Sequence, residues 1–200
     1  MYDLIIIGAS GHGKVVADIA SLNGYKKIAF LDDDRSISEC GGYPVIGCCE
    51  AAPKGAIFVA IGNAGLRKKM LDLYKDREIP VLIHPDAVVA ESAVIGKGTV
   101  VMAGAVINPY ASIGCGSIVN TCSSVDHDCN VGDYSHVAVG AHLCGTVSVG
   151  DRVWIGAGSV VINNLDICDD VMIGAGATVV DSIDEEGLYL GTPARKVNRG

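Results

Sequence analysis

Residues 95–113 read Ile95-Gly96-Lys97-Gly98-Thr99-Val100-Val101-Met102-Ala103-Gly104-Ala105-Val106-Ile107-Asn108-Pro109-Tyr110-Ala111-Ser112-Ile113. Every sixth residue is aliphatic: Ile95, Val101, Ile107, Ile113. Extended both ways, the beat runs without a miss from Ile83 and Val89 through Val119, Val125, Val131, Val137, Leu143, Val149, Ile155, Val161, Ile167 and Ile173 to Val179. Four places after each beat stands a small or aliphatic residue, such as Thr99, Ala105, Ala111, Ser117, Ser123, Cys129, Ser135 and Ala141. A helix needs a period of 3.6 and a lone half-buried strand a period of two. A six-residue period with β-branched beats predicts a parallel β-helix. Three hexads close one triangular coil, so residues 18 apart stack. Residues 83–184 then make about five to six coils, a prism roughly 25 Å tall at the strand spacing.

The first 82 residues follow another rule. Tyr2–Ile7 is an apolar run, Gly8-Ala9-Ser10-Gly11-His12-Gly13 a loop, and Lys14–Leu22 a helix. Lys27–Leu31 and Ile57–Ile61 read as further strands, Leu66–Lys75 as a helix with a basic face, and Pro80–Ile83 as a last short strand. The alternation predicts a parallel α/β half-Rossmann (βαβαβ) domain. Three segments result: 1–82, the β-helix 83–184, and a tail 185–200, with His84-Pro85 at the joint.

Composition narrows the functions. The net charge is −8, from 15 basic and 23 acidic residues, which argues against a nucleic-acid surface. No run of 18 apolar residues suggests a membrane span. Met1-Tyr2-Asp3 carries no basic region of the kind that opens a signal peptide. Eight cysteines without a C-x-x-C pair read as small buried thiols in a reducing cytoplasm, with no metal site.

Two motifs carry chemistry. The glycine loop lies between a strand and a helix, where bare backbone and the helix N-terminus suit a phosphate. Asp32 and Asp33 at the tip of the next strand suit a ribose or base, and Gly62-Asn63 ends a neighbouring strand at the same edge, with Arg67 following. Ser10 replaces the middle glycine of the dinucleotide fingerprint, and only half of a dinucleotide fold fits. The loop therefore predicts a nucleoside-diphosphate site; a ligand-free turn and an NAD-binding oxidoreductase remain open readings.

The second motif is Asn120-Thr121-Cys122-Ser123-Ser124-Val125-Asp126-His127-Asp128. A histidine beside carboxylates has its tautomer fixed and its basicity raised. Eighteen residues after His127 comes Gly145, so the imidazole faces bare backbone, where a thioester carbonyl could accept an N–H. His136 falls at the last place of its hexad, beside a corner. His84 reads as structural, and neither His12 nor His142 as a catalyst. Cys122, Cys129 and Cys144 leave a covalent route formally open. A non-catalytic scaffold of coils is a further reading.

These motifs, with Leu31-Asp32-Asp33, Ala60-Ile61-Gly62-Asn63, Ser135-His136-Val137-Ala138-Val139-Gly140 and Gly191-Thr192-Pro193-Ala194-Arg195, span nearly the whole chain in this order. The pattern is similar to the sialic acid O-acetyltransferase family. It most resembles the UDP-4-amino-sugar N-acetyltransferases of the bacillosamine pathway. The resemblance implies a left-handed β-helix, a homotrimer, acetyl-CoA as co-substrate between subunits, and a nucleotide sugar on the N-terminal domain. It implies His127 as general base, Asp128 as its orienting carboxylate, and His136 as a second active-site histidine near the acetyl group. It places Gly145, Ala157 and Ala175 on the coenzyme and the tail over the coenzyme groove. It places Gly8, Ser10, Gly11, His12, Gly13, Asp32, Asp33, Gly62, Asn63 and Asn120 on the sugar nucleotide. It thereby raises His12 to a sugar contact. A sialic-acid hydroxyl or a GDP- or dTDP-linked amino sugar is the alternative acceptor. The outward residues Val100, Val106, Ile118, Val139 and Val160 suggest apolar faces that a trimer would cover.

Overall fold

The computed structural model describes residues 1–197; the last three residues of the expected 185–200 tail lie outside the described residues. The chain divides into two compact units, Met1–Pro85 and Asp86–Gly200.

In the first unit, chain order is β1 (Leu4–Ile7), α1 (Gly11–Leu22), β2 (Ile28–Leu31), β3 (Glu39–Cys40), β4 (Tyr43–Pro44), β5 (Ala56–Val59), α2 (Ala64–Leu73) and β6 (Leu82–Ile83). A parallel sheet runs β2-β1-β5, with Leu4 opposite Ile28 and Ala56. Every residue of these three strands is buried, which is why they are unbroken apolar runs. The crossover from β2 to β5 departs from the expected βαβαβ pattern. It carries no helix but the β3–β4 hairpin, turned by Gly41 and Gly42 at φ 59° and 83°. Two successive positive φ values are what a type I′ turn requires. The short strand β6 does not join the three-stranded sheet.

Both helices begin earlier than the periodicity suggests, because their caps lie in the loops. Ser10 is extended and its carbonyl accepts the Lys14 N–H at 3.0 Å, so Gly11-His12-Gly13 forms the first turn of α1. The Asn63 side chain accepts the Leu66 N–H at 2.9 Å and starts α2 at Ala64. The basic face of α2 is incomplete. Arg67 turns inward and is 1% exposed.

The second unit is a parallel β-helix of two-residue strands in three stacks. The stacks register every 18 residues: Ile107 on Val125 and Leu143, Ile113 on Val131 and Val149, Val119 on Val137 and Ile155. From Val101 to Val179 every beat residue is at most 3% exposed. Each buried aliphatic contributes about 1.5–3 kcal/mol relative to exposure. Small hydroxyls four places after the beat tie coil to coil. Thr99, Ser117 and Ser135 donate to the carbonyls of Gly114, Gly132 and Gly150 at 2.7, 2.9 and 2.8 Å.

The third place after the beat is the corner residue, in the left-handed region. Eight non-glycine residues, Asp128 among them, adopt φ between 55° and 63° there. Gly98, Gly104, Gly116, Gly140, Gly158 and Gly176 occupy the same place elsewhere. One outward column runs Val100, Ile118, His136, Trp154, Met172 and Leu188. Of the residues expected to form exposed apolar faces, Val100 and Ile118 are buried within the protomer at 1% and 2%, whereas Val139 is 51% exposed. The strand Gly187–Leu190 adds parallel to Val171–Ile173 and pairs antiparallel with Arg195–Val197.

Candidate active site

The β-helix brings His127, Asp128 and Gly145 to one corner. The left-handed turn at Asp128 swings its carboxylate back beside the preceding imidazole, and His127 Nδ1 lies 2.8 Å from Asp128 Oδ2. Asp126 Oδ1 accepts the His127 N–H at 2.8 Å and is itself held by Asn108 Nδ2 at 2.7 Å. The hydrogen bond from Asp128, then the charge of Asp126, raise the His127 pKa above the ordinary imidazole value. An N–H at Nδ1 facing the carboxylate leaves Nε2 with a lone pair. Nε2 points across to Gly145, where a Cβ would lie only 2.5 Å from it. Among the described residues, no hydrogen bond uses the Gly145 N–H; its carbonyl accepts from Asn164 at 3.1 Å. A lone pair and an open N–H thus share one corner.

His136, at the last place of its hexad, opens the strand His136–Val137 and is 8% exposed. Its ring meets Trp154 edge-on, with centroids 4.3 Å apart and planes at 63°. Asn120 Nδ2 lies 3.0 Å from His136 Nε2. The Asn120 side-chain oxygen already accepts the Thr121 N–H at 2.7 Å, so the amide turns its NH₂ to the ring and Nε2 is the acceptor. Asn120 therefore holds His136 in this structure; it was expected on the sugar nucleotide.

Ala157 and Ala175 line an apolar groove of about 410 Å³ with Trp154, Gly156, Met172, Ile173 and Gly174. The groove follows the outward column that includes His136. Gly145, which the resemblance groups with these alanines, stands at the His127 corner, as its 18-residue spacing predicts, one side of the triangle away from the groove. Small floor residues and apolar walls fit a slender acyl-carrying arm such as pantetheine. Among the described residues, no group of three or more His, Cys, Asp or Glu is placed to hold a metal ion. No helix among them is long and apolar enough to cross a membrane.

The glycine loop in the first unit is built by packing as much as for a ligand. Gly8, at φ 107°, and Gly13 lie where any Cβ would strike the Ala60 carbonyl and the Gly8 carbonyl respectively. Around Gly11 and Gly62 the space is open, so these two leave bare backbone facing outward. Ser10 is exposed and makes no side-chain cap. Asp32 Oδ2 accepts the Ala9 N–H at 2.7 Å and Oδ1 the Asp34 N–H at 2.9 Å, so this acid shapes the loop. Asp33 accepts the Cys49 N–H at 2.9 Å. Asp32 also lines a cavity of about 360 Å³ with Asp34, Arg35, Ile37, Val45, Gly47 and Cys48. The sequence reading named Asp32 and Asp33 but missed the hairpin walls.

Arg67 donates to the carbonyls of Ile61 and Gly62 at 2.7 and 2.8 Å and so fixes the turn that precedes Asn63. His12 Nε2 is sealed from solvent, with no hydrogen-bond partner among the described residues. Burial first, then the Arg67 charge, push the His12 pKa down to about 4, so its imidazole is neutral at physiological pH.

Comparison with known proteins agrees with this architecture. Residues 3–73 match the PglD N-terminal domain, and residues 146–181 the bacterial transferase hexapeptide of six repeats, the signature of a left-handed β-helix. A curated relative, UDP-N-acetylbacillosamine N-acetyltransferase of Bacillus subtilis (strain 168), is 36% identical over 114 residues. The match spans about half of each chain, 52% of both. The acetyltransferase domain of PglB from Neisseria gonorrhoeae FA1090 superposes with a TM-score of 0.94 at 40% identity, covering 98% of this chain and 100% of that one. The same domain is known in complex with acetyl coenzyme A. A mutant perosamine N-acetyltransferase from Caulobacter crescentus, bound to CoA and GDP-perosamine, superposes with a TM-score of 0.92 at 35% identity. Those matches cover 98% of this chain and 97% of that one. With both units and their order shared over whole chains, the protein belongs to the family of hexapeptide-repeat sugar N-acetyltransferases that carry a PglD N-terminal domain.

Proposed function

We propose that this chain moves an acetyl group from acetyl-CoA to the amine of a nucleotide-linked amino sugar, of the UDP-4-amino-4,6-dideoxy type. The observation that carries the chemistry is the His127 corner: Nδ1 held by Asp128 at 2.8 Å and Nε2 turned to the bare Gly145. The co-substrate supplies an activated acetyl thioester whose thiolate leaves readily. His127 Nε2 takes the proton from the attacking amine, and Asp128 stabilises the imidazolium that results. The Gly145 N–H offers a donor to the carbonyl oxygen as charge gathers there.

The sugar nucleotide belongs to the glycine loop, with Ser10, Gly11, Gly62 and Asn63 at its open face, Asp32 and Asp33 at the strand tip, and the enclosed His12 as a further contact. The coenzyme belongs to the groove of Ala157 and Ala175, with His136 near its acetyl end. That groove and the His127 corner lie on different corners of one protomer. A homotrimer would complete each site, one subunit giving His127 and its neighbour the groove. Eight free thiols support a cytoplasmic setting. Acetyl-CoA-dependent acetylation of UDP-linked over GDP-linked 4-amino sugars tests the reading. The 35% identical relative bound to GDP-perosamine makes a GDP-linked amine the second candidate.

A further inference from the structure

The chain contains one tryptophan, Trp154, and it stands in register directly beside His136, one coil on. The two rings touch edge to face at 4.3 Å. His136 is nearly enclosed, at 8% exposure, while Trp154 remains 37% exposed. That exposed part is a wall of the apolar groove whose floor is Gly156, Ala157, Gly174 and Ala175. The indole therefore has two neighbours: the imidazole on one side and the groove on the other. Asn120 also holds the imidazole, at Nε2. Edge-to-face contact is a preferred geometry for paired rings, so the indole bears directly on the orientation of the imidazole.

We propose that Trp154 is a positioning residue. It sets the plane of the His136 imidazole and is the wall against which the coenzyme's apolar arm rests, so that groove occupancy and His136 placement are coupled through one side chain. The proposal rests on the coenzyme reading above and adds to it a residue that neither the glycine loop nor the Asp126-His127-Asp128 motif points to. The rise from His136 to the exposed Met172 passes through this single indole, so no other aromatic ring stands between them in the column.

The test uses the whole protein and coenzyme A alone as probe. The single indole makes intrinsic emission a report on this one position. Saturable change in that emission on adding coenzyme A, with binding measured in parallel by calorimetry, is the expected result. Spectra of the protein with carbon-labelled histidine contain five imidazole signals. One is displaced by the indole ring current and is identified by its loss in His136→Ala. That signal should move when coenzyme A binds. In Trp154→Leu, which keeps apolar bulk but no ring, the displacement should vanish and coenzyme A should bind about tenfold more weakly. Trp154→Phe should keep a reduced displacement and bind within about threefold of wild type. If the leucine variant does not fold, the phenylalanine variant carries the comparison. An unaltered His136 signal in either variant overturns the proposal. Calorimetric binding with unchanged emission and unchanged His136 signal also overturns it, while leaving the coenzyme reading intact. No calorimetric binding of coenzyme A removes the coenzyme reading and this inference with it.

Discussion

His127 Nε2 and the α-carbon of Gly145 face each other across one coil, so close that a Cβ on Gly145 would lie 2.5 Å from the nitrogen. Side chains do not approach so closely, so any residue other than glycine pushes the imidazole away. Gly145→Ala should therefore leave the fold intact and lower kcat about 10²-fold, the cost of a misplacement of about 1 Å. Thermal melting and steady-state kinetics on the same sample check it. Unchanged turnover in a folded Gly145→Ala protein would show that Nε2 has no role on that side.

The pH profile tests the carboxylate. Asp128 and Asp126 raise the His127 pKa by favouring imidazolium. A general base works only when unprotonated, so activity is lost as pH falls through that raised value. The acidic limb of kcat/KM should lie above about 6.5, the ordinary histidine value. Asp128→Ala removes the larger cause, so the limb should move to lower pH and the plateau should drop. A limb unmoved by Asp128→Ala would detach it from His127.

The glycine loop makes a separate prediction in the first unit. A ligand of the native state adds stability, so UDP should raise the melting temperature. Gly11 has open space where a side chain would stand. Gly11→Val should therefore fold normally, abolish the UDP shift and raise the sugar KM, while coenzyme A binding is untouched. Equal protection by NAD with none by any nucleoside diphosphate would point to a dinucleotide instead.

The extent to which the sequence revealed these parts follows from period and register. The beat from Ile83 to Val179 is a packing constraint repeated each coil, so the β-helix and the facing of His127 and Gly145 follow from arithmetic. The same arithmetic pairs His136 with Trp154, 18 residues on, and the last place of its hexad, beside a corner, is the first residue of the strand His136–Val137. The β3–β4 hairpin was legible in Gly41-Gly42 between Cys40 and Tyr43, a two-residue turn signal. The inward Arg67 was not, because a helical basic residue normally faces water, and only the carbonyls of Ile61 and Gly62 explain its burial. Val100 and Ile118 were read as outward from alternation alone, which gives a side but not what covers it.

The shared-site account predicts an assembly. Light scattering at micromolar concentration should report about three times the 20.6 kDa chain mass. Co-assembled His127→Ala and His136→Ala subunits should regain activity that neither variant has alone. A fully active monomer would contradict the account of a site completed by a neighbour.

The central claim is acetyl transfer to a nucleotide-linked amine with His127 as base. It is tested most directly by incubating the protein with acetyl-CoA and a panel of UDP-, GDP- and dTDP-linked amino sugars, and following free thiol. The account predicts thiol release with a UDP-linked 4-amino sugar, in step with N-acetylated product. It predicts a rate lower by about 10²–10⁴-fold in His127→Ala at nearly unchanged acetyl-CoA affinity. Undiminished release by His127→Ala, or no release with any amine of the panel from protein that binds coenzyme A, would contradict it.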